Sequence, residues 1–244
     1  MTVHGSHNVT VVENVAYDHV GHCYFLEDGG ERNTHFIKNL GLGTRKGILT
    51  PSDDQPTTFW MTSAHSTMIG NAAAGSSYKE GVGIWFIIPD IITGPSRPLN
   101  FFQRKEQKYY PITEFRDNVV HSNGGFGLAI FRRLGLNHEI LGCSTYSPKV
   151  DPLDKKSNYQ PVILDNLIGK STEISFFSFF TLYFLGFKNR MVNAILRTAA
   201  AEMVNCKFAD SKRSIEVFKN FLDGYQKIKD TVIVGESPNV GKKN

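Results

Sequence analysis

A chain of 244 residues with 41% hydrophobic and 20% charged residues can bury a substantial core and is too apolar to remain disordered. Its net charge of +4 sits in small scattered pairs, Arg104-Lys105, Arg132-Arg133, Lys155-Lys156 and Lys242-Lys243. These read first as solvated loops and second as a face for a polyanion; no nucleic-acid motif accompanies them, so nucleic acid is not an expected partner.

A short phrase recurs along the chain: an alternating apolar run, an Asn, small or apolar residues, then a second run often led by Gly. Its instances are Val11 to Ala16, Phe36 to Gly41, Met68 to Ala73, Phe115 to Val120, Ile163 to Ile168 and Met203 to Phe208, turning at Asn14, Asn39, Asn71, Asn118, Asn166 and Asn205. Glycine-led runs follow at Gly21, Gly83 and Gly127, with Ser214 in the glycine place after the last phrase. Period-two runs of this length are strands with one buried face. Asn tolerates left-handed backbone and hydrogen-bonds a turn with its side chain, and Gly permits the next corner. Such a unit cannot bury its own apolar face, but stacked copies can. The pattern predicts an all-β chain, a right-handed parallel β-helix of the pectin-lyase-like solenoid type. A two-sheet sandwich is the rival, disfavoured by the recurring Asn-then-Gly order.

The interval from Asn14 to Asn39 is 25 residues, about one coil, whereas those to Asn71 and Asn118 are 32 and 47 and require inserted loops. Thr44 to Thr57, Asp90 to Pro111 and Tyr146 to Pro161 have loop composition. The β-helix is expected over 1–217, with 218–244 an extension or the start of a next segment. Residues 169–186, centred on Phe176 to Leu185, break the pattern. They are too short for the roughly 20 apolar residues of a membrane span, so no transmembrane span is expected, and they read as an insertion or a translated intron. Cys23, Cys143 and Cys206 are odd in number, without C-x-x-C, so free buried thiols are expected. The start, Met1 to Gly5, is neither a charged nor an apolar leader, so no signal peptide is expected: the chain is cytosolic or its beginning is missing. Asn8-Val9-Thr10 is a glycosylation sequon.

Several longer phrases carry a resemblance. His4 to Thr10, Asn14 to Asp18, Gly21 to Gly29, Glu31, Thr58 to Thr62, Asn71 to Ser76, Gly83 to Phe86, Thr93 to Ser96, Asn118 to Gly124, Asn205 to Asp210 and Asp230 to Ser237 resemble the β-helix region of the fibrocystin and fibrocystin-L family. That region is shared with the cell-surface and cell-migration-inducing hyaluronidases. The resemblance implies a fragment of an extracellular or cell-surface glycoprotein, normally preceded by a glycine-rich all-β domain and a signal peptide or membrane anchor. It also implies two functions, a non-catalytic scaffold or glycan-binding ectodomain and, as the alternative, part of a hyaluronan-depolymerising enzyme that needs the preceding domain. Hyaluronan is the implied glycan partner.

Five of the eight histidines precede residue 36 and stand among carboxylates. His22 and Asp28 are the expected acid–base pair for cleaving a polysaccharide. Asp18, Glu27, Asp28 and Glu31 are candidate oxygen ligands for Ca²⁺; the plainer reading is an acidic solvated corner. Trp60 and Trp85 are candidate platforms for a sugar ring, against the plainer reading of core aromatics. His121 is expected on the face of His22 if the coils align. EF-hand, H-E-x-x-H and G-x-S-x-G patterns are absent.

Overall fold

A computed structural model describes residues 1–77, 80–99, 102–103, 106–142, 146–170, 192–211, 213–218 and 224–235. It is the expected parallel β-helix. The chain visits three seven-stranded sheets in turn. The first holds Thr2–Val3, His22–Leu26, Thr57–Met61, Val82–Phe86, Phe126–Ile130, Val192–Arg197 and Arg213–Phe218. The second holds Thr10–Val12, Thr34–Ile37, Ser66–Ile69, Glu114–Arg116, Val162–Asp165, Ala201–Val204 and Gln226–Lys229. The third holds Val15–Val20, Leu40–Arg45, Ala72–Ala74, Val119–His121, Ile168–Lys170, Lys207–Ala209 and Val232–Val234. Every neighbouring pair in these sheets is parallel. The last strands of the second and third sheets lie beyond 217 and continue the same coil.

Alternation decides what faces inward. In the first sheet Tyr24, Phe59, Ile84 and Leu128 share a register and point into the coil, while Phe25, Trp60, Trp85 and Ala129 share the next and point out. Tyr24, Phe59, Ile84 and Leu128 join Phe36, Met68, Phe115, Leu164 and Met203 of the second sheet in one buried core. Each such side chain contributes about 1.5–3 kcal/mol by leaving water.

The corner between the second and third sheets is two residues wide, and the two have separate jobs. The second residue is the ladder position. Asn14 donates its backbone and side-chain N–H to Asn39 Oδ1 at 3.1 and 3.0 Å, Asn39 does the same to Asn71, and Asn71 to Asn118. The first residue takes the left-handed backbone: Glu13, Lys38, Gly70, Asp117, Asn166, Asn205 and Asp230 all have φ between 48° and 65°. Asn166 and Asn205, which the sequence aligns with Asn14, Asn39, Asn71 and Asn118, occupy this first position instead. Register pairs Val119 with Ile168 and Ile168 with Lys207, so Leu167 and Cys206 take the two rungs above Asn118. The Asn ladder therefore stops at Asn118.

Among the described cysteines, Cys23 and Cys206 are free and buried, as expected; Cys143 lies outside the described residues. The phenylalanine-rich stretch also lies outside them, except for Gly169 and Lys170, which belong to the strand Ile168–Lys170.

Candidate functional site

Two long excursions, residues 87–113 and 131–161, leave the coil at one corner, between the first and second sheets. They contain the expected loops Asp90 to Pro111 and Tyr146 to Pro161, whereas Thr44 to Thr57 lies at the corner between the third and first sheets. The two excursions lie on each other and on the turn at 27–33. Gln107 donates its amide to the Gly29 carbonyl. Ser147 and Lys149 donate backbone N–H to Lys108 O and Tyr109 O at 2.9 and 2.8 Å, and Tyr146 Oη donates to Tyr110 O at 2.8 Å. The result is a side face built from loops on a rigid stack, the usual place for binding residues.

The acidic turn is the anchor of that face. Glu31 is fully buried and its carboxylate closes the turn, accepting N–H bonds from Asp28 (2.9 Å), Gly29 (2.8 Å) and Gly5 (3.3 Å). Burial pushes its pKa up to about 7, against the pull of those N–H groups. Asp28 is also fully buried; its Oδ2 accepts Ser96 N–H at 3.2 Å and its carbonyl accepts both Thr93 N–H and Thr93 Oγ1–H. His4 Nδ1 lies 2.9 Å from Asp28 Oδ1 and 3.2 Å from Glu27 Oε2, and His138 Nε2 lies 3.8 Å from Glu27 Oε1. The His4–Asp28 approach is a close polar contact without hydrogen-bond alignment. Gly94, at φ +53°, makes room for it: a Cβ there would stand 2.2 Å from Asp28 Oδ1.

The calcium ligands expected from sequence do not converge. Asp18 sits on the third sheet, paired with Arg45 at 2.6 Å, and both Glu31 oxygens are occupied by backbone N–H. Among the described residues no three His, Cys, Asp or Glu side chains gather to hold a metal ion.

The expected acid–base pair is likewise divided. His22 is buried at the start of its strand, stacked on Trp60 with centroids 4.0 Å apart, and its Nε2 faces Ser52 Oγ at 2.9 Å and Asp53 Oδ1 at 3.6 Å. Burial drives its pKa down to about 3, the Asp53 carboxylate pulling upward and His138 adding to the fall. Asp28 belongs to the turn beyond the other end of that strand. His121 is on the third sheet rather than on the face of His22.

Trp60 and Trp85 correct the sugar-platform expectation. Both are fully buried, on the outer side of the first sheet but under a second apolar cluster with Val82, Ala129, Phe131 and Leu134. Trp85 Nε1 donates to Phe131 O at 3.0 Å. The cover is a short hairpin, Arg133–Leu134 paired antiparallel with Ile140–Leu141. An indole so covered has no ring face left for a sugar.

Beside that hairpin lies an accessible cavity of about 300 Å³. Ile91, Leu134, Leu136 and Leu141 give it apolar walls, and Arg133, Asp90, Asn137 and Glu139 supply polar groups. Asp90 pairs with Arg133 at 3.1 Å and with the buried Lys108. Its burial pushes upward, but the hydrogen bonds and charges of Lys108 and Arg133 outweigh that and hold the carboxyl below its usual range. The sequence marks Arg133 only as half of a basic pair and His4 only within the phrase His4 to Thr10, and it does not single out His138 or Lys108. His4 and His138 meet at Glu27, and Lys108 and Arg133 meet at Asp90, each pair from segments far apart in the chain, and no local pattern marks such a meeting.

Residues 1–57 and 51–128 match the protein family described as CEMIP beta-helix. The chain is 29% identical to the Homo sapiens Cell migration-inducing and hyaluronan-binding protein across 99% of its own length and 19% of that protein. It is 28% identical to the Homo sapiens Cell surface hyaluronidase CEMIP2, again across 99% of this chain and 19% of the relative. It is 36% identical to Mus musculus Fibrocystin-L over 54% of this chain and 3% of that protein. The chain thus spans about a fifth or less of these relatives.

Proposed function

The chain belongs to the CEMIP β-helix family, and on that premise we propose that it is the part of a cell-surface or secreted protein that holds an acidic glycan of the hyaluronan type, as binder and scaffold. The cavity beside the Arg133–Leu141 hairpin carries this reading. Its apolar walls suit the C–H faces of a sugar, and Asn137 and Glu139 suit its hydroxyls. Arg133 suits a uronate carboxylate, which a guanidinium receives in a planar fork. One relative is named as hyaluronan-binding, which points to the same ligand class.

Binding is favoured over unaided cleavage because the two candidate catalytic groups are both buried and committed to other partners. The alternative, a segment of a hyaluronan-depolymerising enzyme, draws on a second relative named as a hyaluronidase. The test uses the full 244-residue chain. It should bind immobilised hyaluronan saturably and leave its chain length unchanged on sizing. Arg133→Ala should weaken binding about three- to fivefold, the worth of one exposed ion pair. No saturable binding sinks the reading; shortening of hyaluronan that disappears in His22→Ala or Asp28→Ala replaces it with the enzymatic one.

The surface location has its own check. Asn8 is exposed in a left-handed turn, its Oδ1 accepting Asn33 Nδ2–H at 2.8 Å. A chain secreted from animal cells should carry a glycosidase-sensitive mass at Asn8 that Asn8→Gln removes. No helix among the described residues is long and apolar enough to cross a membrane.

A further inference from the structure

The loop 146–161 builds a second cavity of about 300 Å³, lined by Lys149, Lys155, Lys156, Asn158, Tyr159 and Tyr225. The loop is tightly closed. Lys149 and Tyr159 form an antiparallel bridge, Val150 donates to Asn158 O at 3.0 Å and Gln160 to Pro148 O at 2.8 Å. Lys149 is 6% exposed, and its ammonium is bonded to the carbonyls of Lys155 and Ser157 and lies 5.4–5.7 Å from the Tyr159 and Tyr109 ring centres. These partners are neutral, so they satisfy its hydrogen bonds and leave its charge uncompensated. Lys155 and Lys156 are exposed, and among the described residues no carboxylate pairs with any of the three. The loop's own carboxylates accept backbone N–H groups, Asp151 from Leu153 at 2.9 Å and Asp154 from Lys156 at 2.8 Å, and Glu202 beside Tyr225 is engaged by Tyr225 Oη at 2.7 Å and Lys227 at 3.4 Å.

Three ammonium groups around one cavity repel one another, and the buried one lacks a counter-charge in a place where charge is costly to leave alone. An anion seated among them relieves both. All three cations are lysines. A planar carboxylate is best received by the fork of an arginine, whereas lysines act as compact point charges that can surround a tetrahedral group from any direction. The cavity is at the small end for ligand sites and fits one sugar ring or its substituent, with Tyr159 and Tyr225 as flanking rings.

We propose that this cavity is a binding site for a sulfate ester carried on a polysaccharide. The site rests on the glycan reading above only for the class of molecule; its residues and its anion differ from those of the Arg133 cavity.

The test compares three immobilised polysaccharides against the full chain: hyaluronan, unsulfated chondroitin and chondroitin sulfate. All carry a uronate, and only the last carries sulfate. Chondroitin sulfate should bind about five- to tenfold tighter than unsulfated chondroitin in low salt, with the gap closing as salt rises. Lys155→Ala with Lys156→Ala should abolish that gap and leave hyaluronan binding unchanged; both exposed positions tolerate truncation, and Lys155→Arg with Lys156→Arg should preserve the preference. Equal affinity for the sulfated and unsulfated polymers overturns the proposal. So does a preference that survives the double alanine change, or one matched by mannose 6-phosphate or displaced equally well by free sulfate ion. Hyaluronan binding without a sulfate preference sinks this site and spares the Arg133 cavity; a sulfate preference without hyaluronan binding does the reverse.

Discussion

Asn71 donates both its backbone and its side-chain N–H to a single oxygen of Asn118, at 3.0 and 3.1 Å, from a corner that is wholly buried. Its own Oδ1 receives the same pair of bonds from Asn39, and its Nδ2 also reaches Phe36 O at 2.9 Å. Asn71→Ala therefore strands buried polar groups on the coils to either side. At about 1–3 kcal/mol for each group left unsatisfied, the loss should reach about 3 kcal/mol or more. Asn14, exposed at the end of the ladder, should cost about 1 kcal/mol or less when changed to Ala. Urea unfolding midpoints of the two variants measure the contrast, and equal shifts would show that the ladder carries no special weight.

The coil was legible because its two determinants are local: period-two apolar runs and an Asn at the corner between the second and third sheets. What pattern could not give was register. Asp165-Asn166-Leu167 looks like Asp117-Asn118-Val119, and Asn suits both the left-handed corner and the ladder, so the phrase fits either alignment. Only the pairing of Ile168 with Val119 and Lys207 shows that Asn166 precedes the rung and that Leu167 fills it. The candidate site was less legible for a similar reason. Alternation places Trp60 and Trp85 on one side of their strands, but whether that side meets solvent depends on a hairpin more than forty residues further along the chain. Of the second cavity's lysines the sequence marks only the pair Lys155-Lys156, because Lys149 reaches the cavity through closure of the loop and Tyr225 comes from a different coil.

His22 makes an acid-sensitive contribution to stability. Its pKa falls from 6.5 to about 3 on folding, so between those values the unfolded chain binds a proton that the folded chain refuses. The contribution is full above about pH 6.5 and is lost as pH falls toward 3. Over the two units from pH 6.5 to 4.5 this amounts to about 2–3 kcal/mol. His22→Phe keeps an aromatic ring against Trp60, while Asp53 keeps the backbone N–H bonds of Leu49 and Thr50. The unfolding free energy of this variant should fall less than wild type between pH 7 and pH 4.5, and an unchanged slope would assign the acid sensitivity elsewhere.

Glu31 works in the opposite direction. Its pKa is raised from 4.5 to about 7, so the folded chain holds a proton that the unfolded chain gives up. Its contribution is full below about pH 4.5 and is lost as pH rises through about 7. Glu31→Gln removes the ionisation and also replaces one acceptor with a donor facing backbone N–H groups. The variant should be less stable than wild type at pH 5 by about 1–3 kcal/mol, the cost of an unsatisfied buried group. Its pH profile should then lack the decline that Glu31 gives wild type between pH 5 and 7, so the difference between the two narrows as pH rises. A Glu31→Gln slope identical to wild type would exclude Glu31 as the titrating group.

Gly94 links the acidic turn to the loop face. Its φ of +53° is unfavourable for a side chain, and the Cβ of Gly94→Ala would collide with Asp28 Oδ1 and stand 2.9 Å from His4 Cε1. The collision lies outside the coil's core, so the strain is best relieved by releasing residues 94–99 from Asp28, breaking the Ser96 N–H and Thr93 bonds. The coil should remain folded, with far-ultraviolet circular dichroism unchanged and an unfolding free energy lowered by about 1–3 kcal/mol. Limited proteolysis should cut within 87–113 several-fold faster than in wild type, because that excursion loses its tether while the sheets keep theirs. Cutting at the wild-type rate would mean that Gln107 and the contacts to 146–149 hold the excursion without the Asp28 bonds.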